Sequence, residues 1–276
     1  MAFLRGWLLI LFTLILGGGQ VFAAGTKEQS AYAAAVAAFQ DEMWNRAETE
    51  FDQFVQKYPK STNAPQAVLM RAQAEFKQGK LTDAIAQLAD TNHLARAGTL
   101  ADQYTYWIAE AQFQNRDFTS AAQTFVSLAK NYPESPLRLR SVVEAASAQA
   151  QSGGWPQAGA LLEETNGVFQ RAARMDAANE LVLRGQLLLV QARFTQNDFA
   201  GAAAVLESLD VQTLQPRLDW QRLYLLCQVK LAAGDTNAAL AATANLLQAA
   251  VEGDGALQAE SVSMRAGVLE QMGLAT

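Results

Sequence analysis

The chain has 276 residues, half of them hydrophobic, with 27 acidic against 21 basic side chains, one histidine and one cysteine. A net charge of −6 without any run of lysine or arginine argues against nucleic acid as a partner, because phosphate binding needs a concentrated basic surface. One cysteine cannot build an internal disulfide framework, and the same poverty of cysteine and histidine leaves no metal-ligand set.

Residues 1–23 read as an export signal. Arg5 supplies a positive charge, Trp7 to Leu16 form an apolar run, and Val21-Phe22-Ala23 places small residues at the two recognition positions of a cleavage site, expected after Ala23. The competing reading is an uncleaved anchor in the inner membrane, since Gly6 to Ala24 is nearly long enough to span a bilayer; Gly17, Gly18, Gly19 and Gln20 weaken its outer half. No cysteine follows the apolar run, so a lipid attachment point is lacking. Cleavage leaves 20 basic against 27 acidic residues, a charge of −7, and an acidic exterior that favours solubility. The expected location is periplasmic or secreted.

Beyond the leader, a large residue followed three positions later by alanine recurs: Trp44 and Ala47, Leu81 and Ala84, Phe118 and Ala121, Trp155 and Ala158, Phe199 and Ala202, Thr236 and Ala239. Successive copies are 37, 37, 37, 44 and 37 residues apart, a period that signals a stacked solenoid. Within a copy, Trp44, Ala47, Phe51 and Phe54 share one helical face, and Tyr58-Pro59 and Tyr132-Pro133 end such helices because proline cannot continue them. Twelve residues before each alanine stands a small or slim residue: Ala35, Ala72, Ala109, Ala146, Val190 and Cys227. These mark where two helices touch. Seven residues further on, Glu42, Gly79, Arg116, Gly153, Asn197 and Gly234 open the turn within each pair, where a left-handed conformation is often needed.

A helix pair with small residues at its crossing, an aromatic opening the second helix and Ala-x-x-x-Phe within it resembles the tetratricopeptide repeat. The resemblance covers about residues 28 to 251, with three more residues per copy than the family's usual period and degenerate fifth and sixth copies, where Thr236 and Thr243 replace larger residues. It implies an all-α right-handed superhelical solenoid of antiparallel pairs, six repeats plus a terminal helix. The segments FVQKYPKSTNAPQAVLMRAQAEFKQGKLTDAI and FVSLAKNYPESPLRLRSVVEAA look like the periplasmic branch, which includes the outer-membrane assembly lipoprotein and a cell-division coordinator.

In that family the first helix of each pair lines the concave surface. The resemblance therefore points to Val36, Gln73, Glu110, Ser147, Gln191 and Gln228, one residue past each small position, and to Gln29, Gln66, Gln103, Arg140, Arg184 and Gln221, six before it. Amide side chains offer donor and acceptor together, suited to an extended peptide or to sugar amides. Tyr32, Tyr106 and Tyr224, three before the small position, add apolar faces with polar tips. A merely solvated surface is the competing reading. The lysine-and-asparagine clamp of chaperone-binding relatives is not evident.

Catalytic motifs are missing: there is no His-Glu-x-x-His, no Gly-x-Ser-x-Gly and no phosphate-binding glycine loop, and Glu163-Glu164 read as a solvated face. Cys227 fills the small contact slot and reads as a packed hydrophobe rather than a reactive thiol. His93 reads as a residue near a helix end. The long interval, between Ala158 and Ala202, either divides the array into a lobe of residues 24–165 and a lobe of residues 166–276 or is a tolerated insertion. Residues 256–276 look like the first helix of a further pair, as a cap or a truncated repeat, with Ala266 and Gly273 in phase. The sequence thus points to an exported, non-catalytic scaffold without cofactor, binding envelope proteins or peptides. A self-associating structural protein and a glycan-binding or glycan-processing protein are the alternatives.

Overall fold

The computed structural model describes residues 27–209, 214–251 and 255–274. The expected leader and its cleavage point lie outside the described residues. All six second helices begin where the aromatic-to-alanine spacing puts them: α2 (Trp44–Lys57), α4 (Leu81–Ala89), α7 (Phe118–Asn131), α9 (Trp155–Glu163), α12 (Phe199–Ser208) and α14 (Thr236–Ala250). Their first helices are α1 (Lys27–Gln40), α3 (Ala64–Lys77), α6 (Ala101–Gln114), α8 (Arg138–Gln151), α11 (Glu180–Thr195) and α13 (Pro216–Ala232). Each second helix packs on its own first helix and on the next one, so the pairs stack as a right-handed all-α solenoid that ends in α15 (Gly255–Gln271).

The repeat register is a packing register. The six small residues of the first helices and the six alanines of the second are all at most 2 % exposed, so each crossing is built from side chains slim enough to let the helices approach closely. All six turn residues have positive φ, between 57° and 85°, and the next amide bonds back to the helix: Lys80 N–H to the Glu75 carbonyl and Asp117 N–H to the Gln112 carbonyl, both at 2.9 Å. Glu42, Arg116 and Asn197 thus hold a conformation in which a Cβ is strained, by about 1 kcal/mol or more each.

Two departures from the even pattern have local causes. The expected second helix of pair two breaks at Asp90, whose carboxylate accepts from the N–H groups of Asn92 and His93 at 2.9 and 3.1 Å and starts α5 (Thr91–Arg96). His93 therefore sits in the first turn of a separate short helix, with its Nδ1 3.0 Å from the Gln87 carbonyl oxygen. The extra residues between pairs four and five form α10 (Val168–Met175), which packs on α8, α9 and α11. Phe169 of α10 is fully buried among Val142, Val143, Leu162, Val182 and Leu189, and its ring occupies the space over Gly185 of α11. The insertion is part of the core between two pairs.

Between neighbouring pairs, ion pairs reach from a second helix to the next pair: Glu48 to Lys80, in the turn after α3, at 2.6 Å, Glu163 to Arg193 of α11 at 2.8 Å and Glu207 to Lys230 of α13 at 2.9 Å. Glu163 is exposed, as a solvated face requires, and contributes through this pair on the order of 0.2–1 kcal/mol. Cys227 is fully buried in the cluster of Trp220, Leu223, Ala242 and Leu246, and burial pushes its thiol up to about 11. In α15 the register changes character. Ser263 and Glu270 occupy the positions that hold Tyr32 and Phe39 in the first pair, and Ala266, in the small slot, is exposed.

Candidate partner-binding groove

The first helices form the inner face of the curve. Neighbours touch at α1 with α3, α3 with α6, α8 with α11, α11 with α13 and α13 with α15, whereas successive second helices make no contact of that extent. Closer stacking on one side bends the array toward that side, so the concave surface belongs to the residues that point away from both flanking second helices.

Of the residues expected on this face, Gln66, Gln73, Gln103, Glu110, Arg140, Gln191 and Gln228 are half-buried and Arg184 is exposed. Among the described residues, the side chains of Gln66, Gln73, Gln103, Gln191 and Gln228 make no hydrogen bond to the protein. Some glutamines off this face are engaged: Gln78 donates to Glu48 at 2.7 Å, Gln112 accepts from Thr124 at 2.8 Å and Gln170 donates to the Leu162 carbonyl at 2.7 Å, whereas the buried Nε2 of Gln87 has no partner among the described residues. Arg184 pairs with Glu180 one turn earlier on its own helix, at 2.5 Å.

The three tyrosines are placed differently from one another. Tyr32 packs edge-on against Phe51 and at a tilt against Phe54, and Tyr106 packs edge-on against Phe125, so these two rings face their own second helices more than the groove. Tyr106 hydrogen-bonds to Glu110. Burial first, then the Glu110 charge and that bond, and then Glu144 raise its hydroxyl far above the usual phenol range against the pull of Arg140. The hydroxyl of Tyr106 on α6 thus lies in the field of two carboxylates and an arginine drawn from α6 and α8. Tyr224, in contrast, lines an open groove of about 560 Å³ between α13 and α15, together with Leu231, Ser263, Met264, Gly267, Glu270 and Gln271.

Sequence reasoning passed over a further column, four residues past each small position. Phe39, Phe113 and Phe194 close the end of each pair against Trp44, Phe118 and Phe199, with ring centroids 5.1, 5.1 and 5.5 Å apart, while Phe76 meets Trp107 of the next pair at 5.3 Å. The same 37-residue spacing would have found them. Tyr104, whose buried hydroxyl donates to the Pro65 carbonyl at 2.7 Å, carries no such signal, because in its column the other pairs hold small, aliphatic or charged residues.

Comparison with known proteins fits this geometry. Residues 25–95 match the family model described as outer membrane lipoprotein, and residues 105–135 match that of the tetratricopeptide repeat. The chain has the fold of a tetratricopeptide-repeat solenoid. A tetratricopeptide repeat protein from Parabacteroides merdae shares its fold with a TM-score of 0.63 at 14 % identity, over 91 % of this chain and 88 % of that one. BtubC from P. vanneervenii gives 0.57 at 16 % identity, over 84 % and 94 % of the two chains. PilF of Pseudomonas aeruginosa gives 0.55 at 14 %, over 86 % and 96 %. No curated protein matches the chain in sequence. Among the described residues of this tetratricopeptide array, no group of three or more His, Cys, Asp or Glu side chains could hold a metal ion, and no helix is long and apolar enough to cross a membrane.

Proposed function

We propose that the protein is a non-catalytic scaffold of the bacterial cell envelope that holds protein or peptide partners along the concave face of its first helices. The observation that carries this reading is the row of unengaged amides. Gln66, Gln73, Gln103, Gln191 and Gln228 belong to the repeat columns assigned to the inner side and make no hydrogen bond within the protein, whereas Gln78 and Gln112 spend theirs on Glu48 and Thr124. Free amides at a regular spacing match the alternating donors and acceptors of an extended backbone.

Support for the envelope comes from the match of residues 25–95 to an outer membrane lipoprotein family and from the expected leader. The test is site-specific photocrosslinking in native envelopes. A photoreactive residue at Gln73, Glu110 or Gln191 should capture one and the same partner, while the exposed outer positions Lys60 and Val126 should not. Equal capture from both faces removes the concave-face assignment.

A further inference from the structure

We propose that the end of the groove, between α13 and α15, is a pocket for a cationic side chain, arginine in preference to lysine, on a bound peptide. The inference rests on the concave face being the binding face and names the chemistry that this part of it selects.

The floor is aromatic and held in place. Tyr224 stacks on Trp220 with centroids 5.2 Å apart and planes 25° apart, and the buried Trp220 donates its indole N–H to Ser261 of α15 at 2.9 Å. Both walls are thereby fixed to one another through the aromatic pair. The space above the floor exists because of two small residues: Ser263 stands where Tyr224 stands one pair earlier, and a Cβ on Gly267 would meet nothing within 4 Å. At that register the preceding pairs carry Gln191 and Gln228.

The rim is acidic and uncompensated. Glu270 lines the groove, and the Glu260 charge acts on the Tyr224 hydroxyl, which burial raises first of all. Neither carboxylate joins an ion pair among the described residues, while the neighbouring cations are committed elsewhere: Arg222 to Asp219 at 2.8 Å, Lys230 to Glu207 at 2.9 Å and Arg265 to the Thr243 hydroxyl at 3.3 Å. An aromatic floor beside the unpaired Glu270, with the Glu260 charge acting on the same ring's hydroxyl, is complementary to a flat guanidinium, which stacks on the ring and donates to Glu270 at once.

The probe is N-acetyl-arginine methylamide, with N-acetyl-citrulline methylamide as its uncharged isostere, titrated into the purified protein labelled with ¹³C at its methionine methyl groups. The Met264 signal, assigned through Met264→Leu, should shift saturably with arginine and at least about fivefold more weakly with citrulline, the scale of two partly exposed ionic contacts and one cation–π contact. Glu260→Gln with Glu270→Gln should abolish that preference, and Gly267→Leu should block the shift while the circular dichroism spectrum is unchanged. Equal response to both probes, or a shift that survives the double substitution, overturns the proposal. If Gln73 captures a partner but the wild-type protein shows no arginine preference, the pocket reading fails alone; if no concave position captures a partner, the wider reading fails with it.

Discussion

Gly185→Ala is the substitution whose effect the structure fixes most closely. A Cβ at this position would lie 2.2 Å from Cε2 and 2.7 Å from Cζ of Phe169, with Cδ2 at 3.1 Å, so the ring and the methyl group cannot share the site. Phe169 is fully buried and α10 has no other buried residue, so its displacement undocks the inserted helix from α8 and α11. Complete loss of a buried phenylalanine costs about 3–5 kcal/mol. Alanine returns about 0.5–1 kcal/mol through helix propensity, which leaves a net loss of about 2–4 kcal/mol. In the Phe169→Ala background the clash is gone and the same Gly185→Ala change should instead stabilise, by about 0.5–1 kcal/mol. Urea unfolding of the four proteins of this cycle, followed by circular dichroism, reads the sign. Hydrogen exchange locates the loss, which should fall on α10 and α11 and spare α1 to α3, because each pair touches only its neighbours. A Gly185→Ala protein as stable as the parent would refute the reasoning.

Other expectations follow from particular residues. Arg116→Gly and Glu42→Gly should each raise stability by about 0.5 kcal/mol, since glycine relieves a left-handed strain larger than its own entropic penalty; a loss in urea midpoint would contradict the turn geometry. Cys227, buried and with its thiol pushed up to about 11, should resist a thiol reagent at pH 8 in the folded protein and react promptly in urea; fast labelling of the native state would show that the slot is not sealed. Burial holds Glu75 above its ordinary 4.5 despite Arg71. Its folded form therefore binds the proton more tightly than its unfolded form, and the wild type should lose stability relative to Glu75→Gln as pH rises past 4.5, the opposite slope excluding this account.

The fold was legible because each repeat states it again. Six alanines, six slim residues and six turn residues in one phase mark the crossing and the turn of every pair, and the structure fills all of these positions as the spacing requires. Where a second helix stops was less legible, because termination depends on one competing group: the Asp90 carboxylate captures two amides and ends α4 early without any proline. The long interval announced seven extra residues but not their destination, since nothing local links Phe169 to Gly185, sixteen residues away in sequence and in contact only after folding. For the groove, the offset from the small residue selects one helical face, but whether a tyrosine there faces a partner or its own second helix depends on what that helix presents. Phe51, Phe54 and Phe125 draw Tyr32 and Tyr106 inward, and the stack on Trp220 leaves Tyr224 at the groove.

The central claim, that partners are held on the concave face, is tested most directly by comparing two substituted proteins with equal helicity. One carries Gln73→Ala, Gln103→Ala, Glu110→Ala and Gln191→Ala on the inner face; the other carries four alanines at exposed outer positions, including Lys60 and Val126. Binding of the partner captured by crosslinking should weaken at least about tenfold with the first protein, as loss of several hydrogen bonds at about 0.5–1.5 kcal/mol each requires, and stay within about twofold with the second. Weakening by the outer substitutions alone, with the inner set binding as the wild type does, would contradict the account.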